Sequence, residues 1–180
     1  IPQSRIRLSA YSDTFLLYTS NIINKNPEDI SHAFLEIQVA CDYLFIVANE
    51  LRIPIRGSIV VGDLIDNYGI FVSKDIIEAY EMEKKQKWIG CWIGDKCKET
   101  LGDDEWIEYE KNHSILSYDI PIESGKNIKG YALNWVSKNI YEDLKILDSL
   151  KDKLDNNKIK YKYNNTLSFL RYVNDLNAFS

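Results

Sequence analysis

Basic excess is the first thing this chain lacks. Its 22 lysines and arginines face 27 acids, for a formal net charge of -5. A general nucleic-acid-binding surface needs the opposite balance, so no nucleic-acid partner is expected, although one small phosphate pocket stays open. Cysteine is sparse: Cys41, Cys91 and Cys97 are odd in number and lack zinc-ligand spacing. Reduced thiols in a cytoplasmic protein are the simplest reading. No uninterrupted apolar run approaches membrane-spanning length and the amino end has no signal-peptide pattern, so direct membrane insertion is not expected. Methionine occurs once, at Met82, and the chain opens on Ile1; a further segment ahead of Ile1 is therefore expected. His32 and His113 have no partners at metal-ligand spacing and read as ordinary. Internal repeats, low-complexity tracts and interdomain linkers are absent.

What is present fits one compact unit: 180 residues, 45% apolar and 27% charged. Residues 5–12 and 14–19 read as two strands meeting near Asp13. Asn26-Pro27-Glu28-Asp29 is a helix-start signal, with a capping Asn, Pro in the first turn and acids at the positive dipole end. The helix carries one apolar stripe through Ile30, Phe34, Ile37, Cys41, Leu44, Ala48 and Leu51 until Pro54 stops it. Residues 55–61 and 63–71 read as a strand pair, with Asp66-Asn67-Tyr68-Gly69 as turn material. Ser73 caps a second helix ending in Lys84, Lys85 and Lys87, and residues 88–93 form a short apolar strand. Residues 95–113 are acidic and helical, 115–122 and 129–136 are edge strands, and helices run from Ser137 to about Leu154 and over 166–177. The pattern predicts an α+β fold with helices on one face of a mostly antiparallel sheet.

The chemistry-bearing candidates lie in the first half. Asp13 is a carboxylate at a tight strand junction, where a metal ligand and an ordinary turn residue are both good readings. Arg7, Ser9 and Tyr11 share a strand face by period-two alternation and are candidates for base or ribose contact, the bland alternative being a solvated edge. Arg56 holds a phosphate, pairs with an acid across a dimer or makes a structural ion pair. Gly57 and Gly62 suit close approach of backbone or substrate. Tyr80 and Glu83 lie one helical turn apart, facing the sheet or a partner, with Glu83 an anchor rather than a catalyst. Asp63 and Asp66 are candidates for acids that support a metal ligand, but turn chemistry explains them at least as well; Asp103-Asp104-Glu105 reads as a solvated surface.

Taken in order, Tyr11-Ser12-Asp13-Thr14, a long helix, Ile55-Arg56-Gly57-Ser58-Ile59-x-x-Gly62 and Ile77-Glu78-Ala79-Tyr80-x-x-Glu83 resemble the class III nucleotide cyclase homology domain. More narrowly, they look like the bacterial pyrimidine cyclases of the anti-phage Pycsar type. The resemblance covers residues 5–93 and the strand ending Leu133-Asn134-Trp135. It implies a ferredoxin-like βαββαβ cyclase core over residues 1–136 and a helical C-terminal extension over 137–180. It implies a homodimer with sites at the interface, a nucleoside triphosphate substrate, and two divalent ions, Mn²⁺ or Mg²⁺. These hold the triphosphate and lower the pKa of the ribose 3′-hydroxyl that attacks the α-phosphorus. Asp13 matches the hairpin aspartate that binds metal. The matching first-strand aspartate should precede Ile1.

By the same resemblance Asp13 and Arg56 are the catalytic candidates. Arg7, Ser9, Tyr11, Gly57 and Tyr80 are the substrate-binding ones. The departures carry information too. The Asn and Arg that purine cyclases place on the second helix align with Ile77 and Glu81, and their base-reading positions align with Ile70 and Ser9. A purine product is thus disfavoured, and the expected reaction is UTP or CTP to the 3′,5′-cyclic monophosphate, with UTP first. The implied setting is cytoplasmic antiviral second-messenger synthesis with a separate cyclic-nucleotide effector. The competing expectation is an inactive cyclase-like module for dimerisation or nucleotide sensing. A diguanylate-cyclase relative is a third, opposed by the lack of a Gly-Gly-acid-acid-Phe hairpin.

Overall fold

The computed structural model describes residues 6–19, 26–123, 125–136 and 139–178. The expected strand start at Arg5, the helix start at Ser137 and the boundary between 136 and 137 lie at or against residues outside that set. The first two strands form as expected: β1 (Ile6–Tyr11) and β2 (Thr14–Thr19) pair antiparallel with Tyr11 opposite Thr14. The loop is therefore the two residues Ser12 and Asp13. Ser12 takes φ 55° and Asp13 does not enter the positive region, the pattern of a type II′ turn, whose twist suits a hairpin.

Helix α1 (Pro27–Glu50) starts where the capping signal places it, with the Asn26 side chain accepting from the Asp29 amide at 2.7 Å. At 24 residues it is long and apolar enough to cross a bilayer by length and composition. Glu36 and Asp42 interrupt its apolar residues. Here Phe34, Phe45 and Ala48 of α1 are buried within the protein.

The chain continues through β3 (Gly57–Ile59), the hairpin of β4 (Ile65–Asn67) and β5 (Ile70–Val72), α2 (Lys74–Lys85) and β6 (Cys91–Ile93). Then come α3 (Asp95–Leu101), α4 (Asp103–Lys111), β7 (Ile115–Pro121), β8 (Asn127–Leu133), α5 (Ile140–Asp152) and α6 (Asn157–Ala178). The architecture is α+β, with a four-stranded sheet in the order β3-β6-β8-β7 and two separate two-stranded sheets, β1-β2 and β4-β5. β3 pairs parallel with β6, and the other ladders of the main sheet are antiparallel.

Several expectations are corrected. Residues 55–61 do not pair with 63–71. Tyr68 and Gly69, at φ 53° and 82°, close β4 directly onto β5, so a local hairpin forms instead. β8 is interior to the sheet and not an edge. Gly102, at φ 84°, divides the 95–113 helix into α3 and α4. α6 begins at Asn157, well ahead of 166, because Ile159, Tyr163, Leu167 and Leu170 continue one apolar stripe through a lysine- and asparagine-rich turn.

The expectation of helices on one face of the sheet is corrected as well, because helices cover both faces. A Cβ on Gly57 would meet the Phe45 ring of α1 and Cys91 Sγ at 3.7 Å, whereas the next residue, Ser58, donates to the Ala79 carbonyl of α2 at 2.7 Å. Successive strand residues point to opposite faces, so α1 and α2 lie on opposite sides. The strand run Cys91-Trp92-Ile93 does not alternate in polarity, as expected for a parallel pair covered twice. The C-terminal helices share this core: Phe169 of α6 meets Trp88 at 4.7 Å, Tyr118 at 5.0 Å and Trp135 at 6.3 Å between ring centroids.

The middle of α1 carries a buried polar pair. Gln38 is 4% exposed and donates from Nε2 to Asp42 Oδ2 at 3.3 Å. Gln38 Oε1 and Asp42 Oδ1 are buried without a partner among the described residues. Burial pushes the Asp42 carboxyl up to about 7, against the opposing bond from Gln38. A folded-state pKa above the unfolded value of about 3.9 means the native state binds the extra proton. The Asp42 contribution is thus fully present below about pH 4 and is lost as pH rises to about 7. Asp42→Asn is expected to stabilise the protein more near pH 8 than near pH 5. Urea unfolding at both pH values checks this; an equal effect at both would show that Asp42 titrates normally.

Candidate functional site

The chemistry-bearing residues fall into two groups. The first is the β1–β2 hairpin. Asp13 sits exposed at its turn, and no described residue offers it a hydrogen bond or ion pair. Behind it, Tyr11 donates its hydroxyl to the Gly69 carbonyl at 3.3 Å, and Tyr18 donates to Asp66 Oδ2 at 2.8 Å. Both rings meet Phe71 edge-on, at 6.2 and 5.2 Å. One face of the first hairpin is thereby docked on the inner face of β4–β5. Ser9 and Arg7 border Tyr18 on that face, both acting to lower its pKa. The bond to Asp66 outweighs them, and with burial and the Asp66 charge it raises the phenol. Arg7 and Tyr11 remain exposed.

The second group joins β3 to α2. Arg56 NH2 lies 2.6 Å from Glu83 Oε1, and NH1 donates to the Gln86 carbonyl at 3.1 Å. Together with the Ser58–Ala79 bond, this ties the Arg-Gly-Ser-Ile segment directly to the Ala-Tyr-x-x-Glu segment. Of the alternatives for Arg56, the structure realises the ion pair, and its partner is Glu83 of the same chain. Gly57 faces Phe45 and Cys91 in the core, where a Cβ would make ordinary contact at 3.7 Å, so close approach does not require glycine at this position. Tyr80 is exposed, with the Lys84 ammonium 5.6 Å from its ring centroid. Among the described residues no hydrogen bond, ion pair or ring contact links the two groups. β5 leads into the start of α2, whereas Arg56 meets its end, and twelve residues of helix span about 18 Å.

Gly62 is where close approach is required. A Cβ there would lie 1.9 Å from Asp75 Cγ. Asp75 is 4% exposed, accepts from the Asp63 amide at 3.1 Å and pairs with Lys96 at 3.1 Å. Ser73 caps α2 through the Asp75 and Ile76 amides. This carboxylate organises the turn after β3. Sequence reading missed it because Asp75 looks like any first-turn acid. Gln86 was missed too. It is fully buried, donating from Nε2 to the Gly57 carbonyl at 2.7 Å and accepting from Trp88 Nε1 at 2.6 Å.

For a divalent ion, Asp13 offers one hard oxygen donor on fixed backbone, with no competing partner among the described residues. That chemistry fits Mg²⁺ or Mn²⁺ as far as one ligand goes. No group of three or more His, Cys, Asp or Glu side chains is placed to hold a metal among the described residues. The thiols make poor ligands here, because burial pushes Cys41 and Cys97 up to about 12 and raises Cys91 well above its ordinary value, and the thiolate is the ligating form. No family model, no curated protein and no solved structure matches this chain.

Proposed function

We propose that this chain is the core of a cytoplasmic pyrimidine nucleotide cyclase, a phosphorus–oxygen lyase that converts UTP, or CTP, to the 3′,5′-cyclic monophosphate and pyrophosphate. The observation that carries the reading is Asp13. Among the described residues its carboxylate has no partner, and it stands at a two-residue turn whose hairpin is fastened from behind by Tyr11 and Tyr18. A fixed, exposed carboxylate with no partner among the described residues is free to supply oxygen ligands to a divalent ion. Asp13 would hold such an ion together with the aspartate that the resemblance assigns to a preceding strand. When bound, the ion supplies charge neutralisation at the phosphates and acidifies the attacking hydroxyl. The ferredoxin-like cyclase core belongs to this proposal. So does the two-fold dimer, in which the β1–β2 hairpin of one chain meets residues 55–93 of its partner. Exposed Leu8 and Phe15 on the hairpin, and Ile65, Ile70, Val72 and Ile77 in the other segment, support such a contact. The further reading of the product as an antiviral second messenger rests on the resemblance alone.

A second reading draws on the engagement of the other candidates. Arg56 is held by Glu83 and Gln86, while Tyr11 and Ser9 face their own chain. Those contacts favour a cyclase-like dimerisation or nucleotide-sensing module. One experiment separates the two: incubate the full-length protein with each of the four ribonucleoside triphosphates and Mn²⁺, and identify products by mass. Cyclic UMP or cyclic CMP is the expected main product, because Ile70 and Ser9 lack the groups that read a purine ring. Cyclic AMP or GMP as the main product overturns the pyrimidine assignment. No cyclic product from any of the four overturns the enzyme reading in favour of the module.

A further inference from the structure

We infer that Arg56, Lys87 and Lys162 form a binding site for a small phosphate-class oxyanion, at the seam where α6 crosses the start of β3 and the α2–β6 connection. The seam is fixed by polar bonds. Asn165 of α6 donates from Nδ2 to the Lys87 carbonyl at 2.7 Å. Thr166 Oγ1 accepts from the Ile89 amide at 2.8 Å and donates to the Lys162 carbonyl at 2.9 Å. These bonds hold the first turns of α6 beside residues 87–89 and bring Lys162 within electrostatic reach of Arg56 and Lys87.

The charges do not balance. Glu83 takes Arg56 at 2.6 Å and Glu123 takes Lys87 at 3.2 Å. Lys162 is half-buried, and among the described residues no acid pairs with it. Burial first, then the neighbouring Arg56 and Lys87, holds its ammonium below the ordinary lysine range; Glu83 and Glu123 act in the opposite direction without reversing this. A half-buried ammonium beside two other cations is unfavourable until an anion joins it.

Donors are in surplus as well. A guanidinium has five N–H groups and an ammonium three. Arg56 spends its contacts on Glu83 and Gln86, Lys87 on Glu123, and Lys162 spends none on described residues. The free donors belong to two point charges and one planar fork, which together suit a tetrahedral oxyanion approached from several sides. A carboxylate presents only two oxygens in one plane and uses this arrangement less fully. The site meets the carboxyl end of α2, whereas the hairpin bearing Asp13 docks on the strands that lead into the other end. Arg56 is shared with the cyclase reading, whereas Lys162 belongs to α6 and has no part in it, so the test turns on the lysines and on binding without metal. A bound anion would fasten α6 to β3 and α2 and raise the stability of the native state.

The test is calorimetric titration of the full chain with inorganic phosphate. Ionic strength is held constant with sodium chloride, and EDTA is present so that no metal at Asp13 contributes. Saturable one-to-one binding is expected. Lys162→Met and Lys87→Met should each weaken it at least about tenfold, the scale of one lost charge-assisted contact, and Lys162→Arg should retain it. Without phosphate, Lys162→Met should melt no lower than wild type, since it removes a repelled charge and keeps the aliphatic stem. Absence of saturable binding in the wild type, or wild-type affinity in both methionine variants, would falsify the site.

Discussion

Asp13→Asn should abolish cyclic-nucleotide formation by the full-length protein while leaving its unfolding curve unchanged. The carboxylate is exposed and no described residue pairs with it, so the fold does not depend on its charge. Asparagine keeps the local turn chemistry, and surface changes of this kind shift stability by less than about 0.5 kcal/mol. Function is a different matter. A hard divalent ion loses both a ligand and a neutralising charge, and losses of transition-state charge stabilisation cost at least about a hundredfold in turnover. Asp13→Ala should behave alike in activity. Near-normal turnover of either variant with Mn²⁺ would remove Asp13 from the site. A parallel fall in stability and activity would instead make it a structural turn residue.

What the sequence revealed and concealed follows from the range of the interactions. Hairpin β1–β2, the start of α1 and the start of α2 are written in local signals: a two-residue turn, Asn26 with Asp29, Ser73 with Asp75 and Ile76. Those bonds span two or three residues, so periodicity and capping find them. The partner of Arg56 is 27 residues away at Glu83, and nothing local chooses between that acid and a phosphate. The parallel pairing of β3 with β6 was equally hidden. Each strand is three residues long, too short to show a period, and the intervening Tyr68-Gly69 turn diverts the apolar residues after β3 into a hairpin of their own.

The same distance rule applies to the candidate sites. Asp13 was legible because a carboxylate between two apolar runs is unusual in one short window. The Arg56–Lys87–Lys162 cluster was not, since it draws on three segments that converge only when α6 packs back over residues 87–89. Asp42 hid inside an amphipathic stripe: Cys41 belongs to the apolar face of α1, and nothing in the sequence shows that the residue after it is desolvated as well.

Gln86 is the position where a single side chain should cost the fold most for its size. Its amide spans the junction of α2, β3 and Trp88, donating to the Gly57 carbonyl at 2.7 Å and accepting from Trp88 Nε1 at 2.6 Å. Its backbone amide closes α2 on the Met82 carbonyl, and its carbonyl receives Arg56. Gln86→Leu keeps the volume and leaves the Trp88 indole N–H without its partner, while the Gly57 carbonyl loses its second donor and keeps its place in the β3–β6 ladder. An orphaned buried group costs about 1–3 kcal/mol, so the expected loss is about 2 kcal/mol. For a chain of this size that lowers Tm by roughly 4–8 °C. Gln86→Glu supplies the discriminating comparison. An ionised glutamate accepts from Trp88 but cannot donate to Gly57; a protonated one can do both. Burial raises its folded pKa above the unfolded value, so its stability should be highest in acid and fall as pH rises, relative to wild type. The leucine variant should show no such recovery. Urea unfolding of the three proteins across pH decides the matter: a leucine variant within about 0.5 kcal/mol of wild type, or a glutamate variant that does not recover in acid, would show that the Gln86 amide is not what holds β3 to the end of α2.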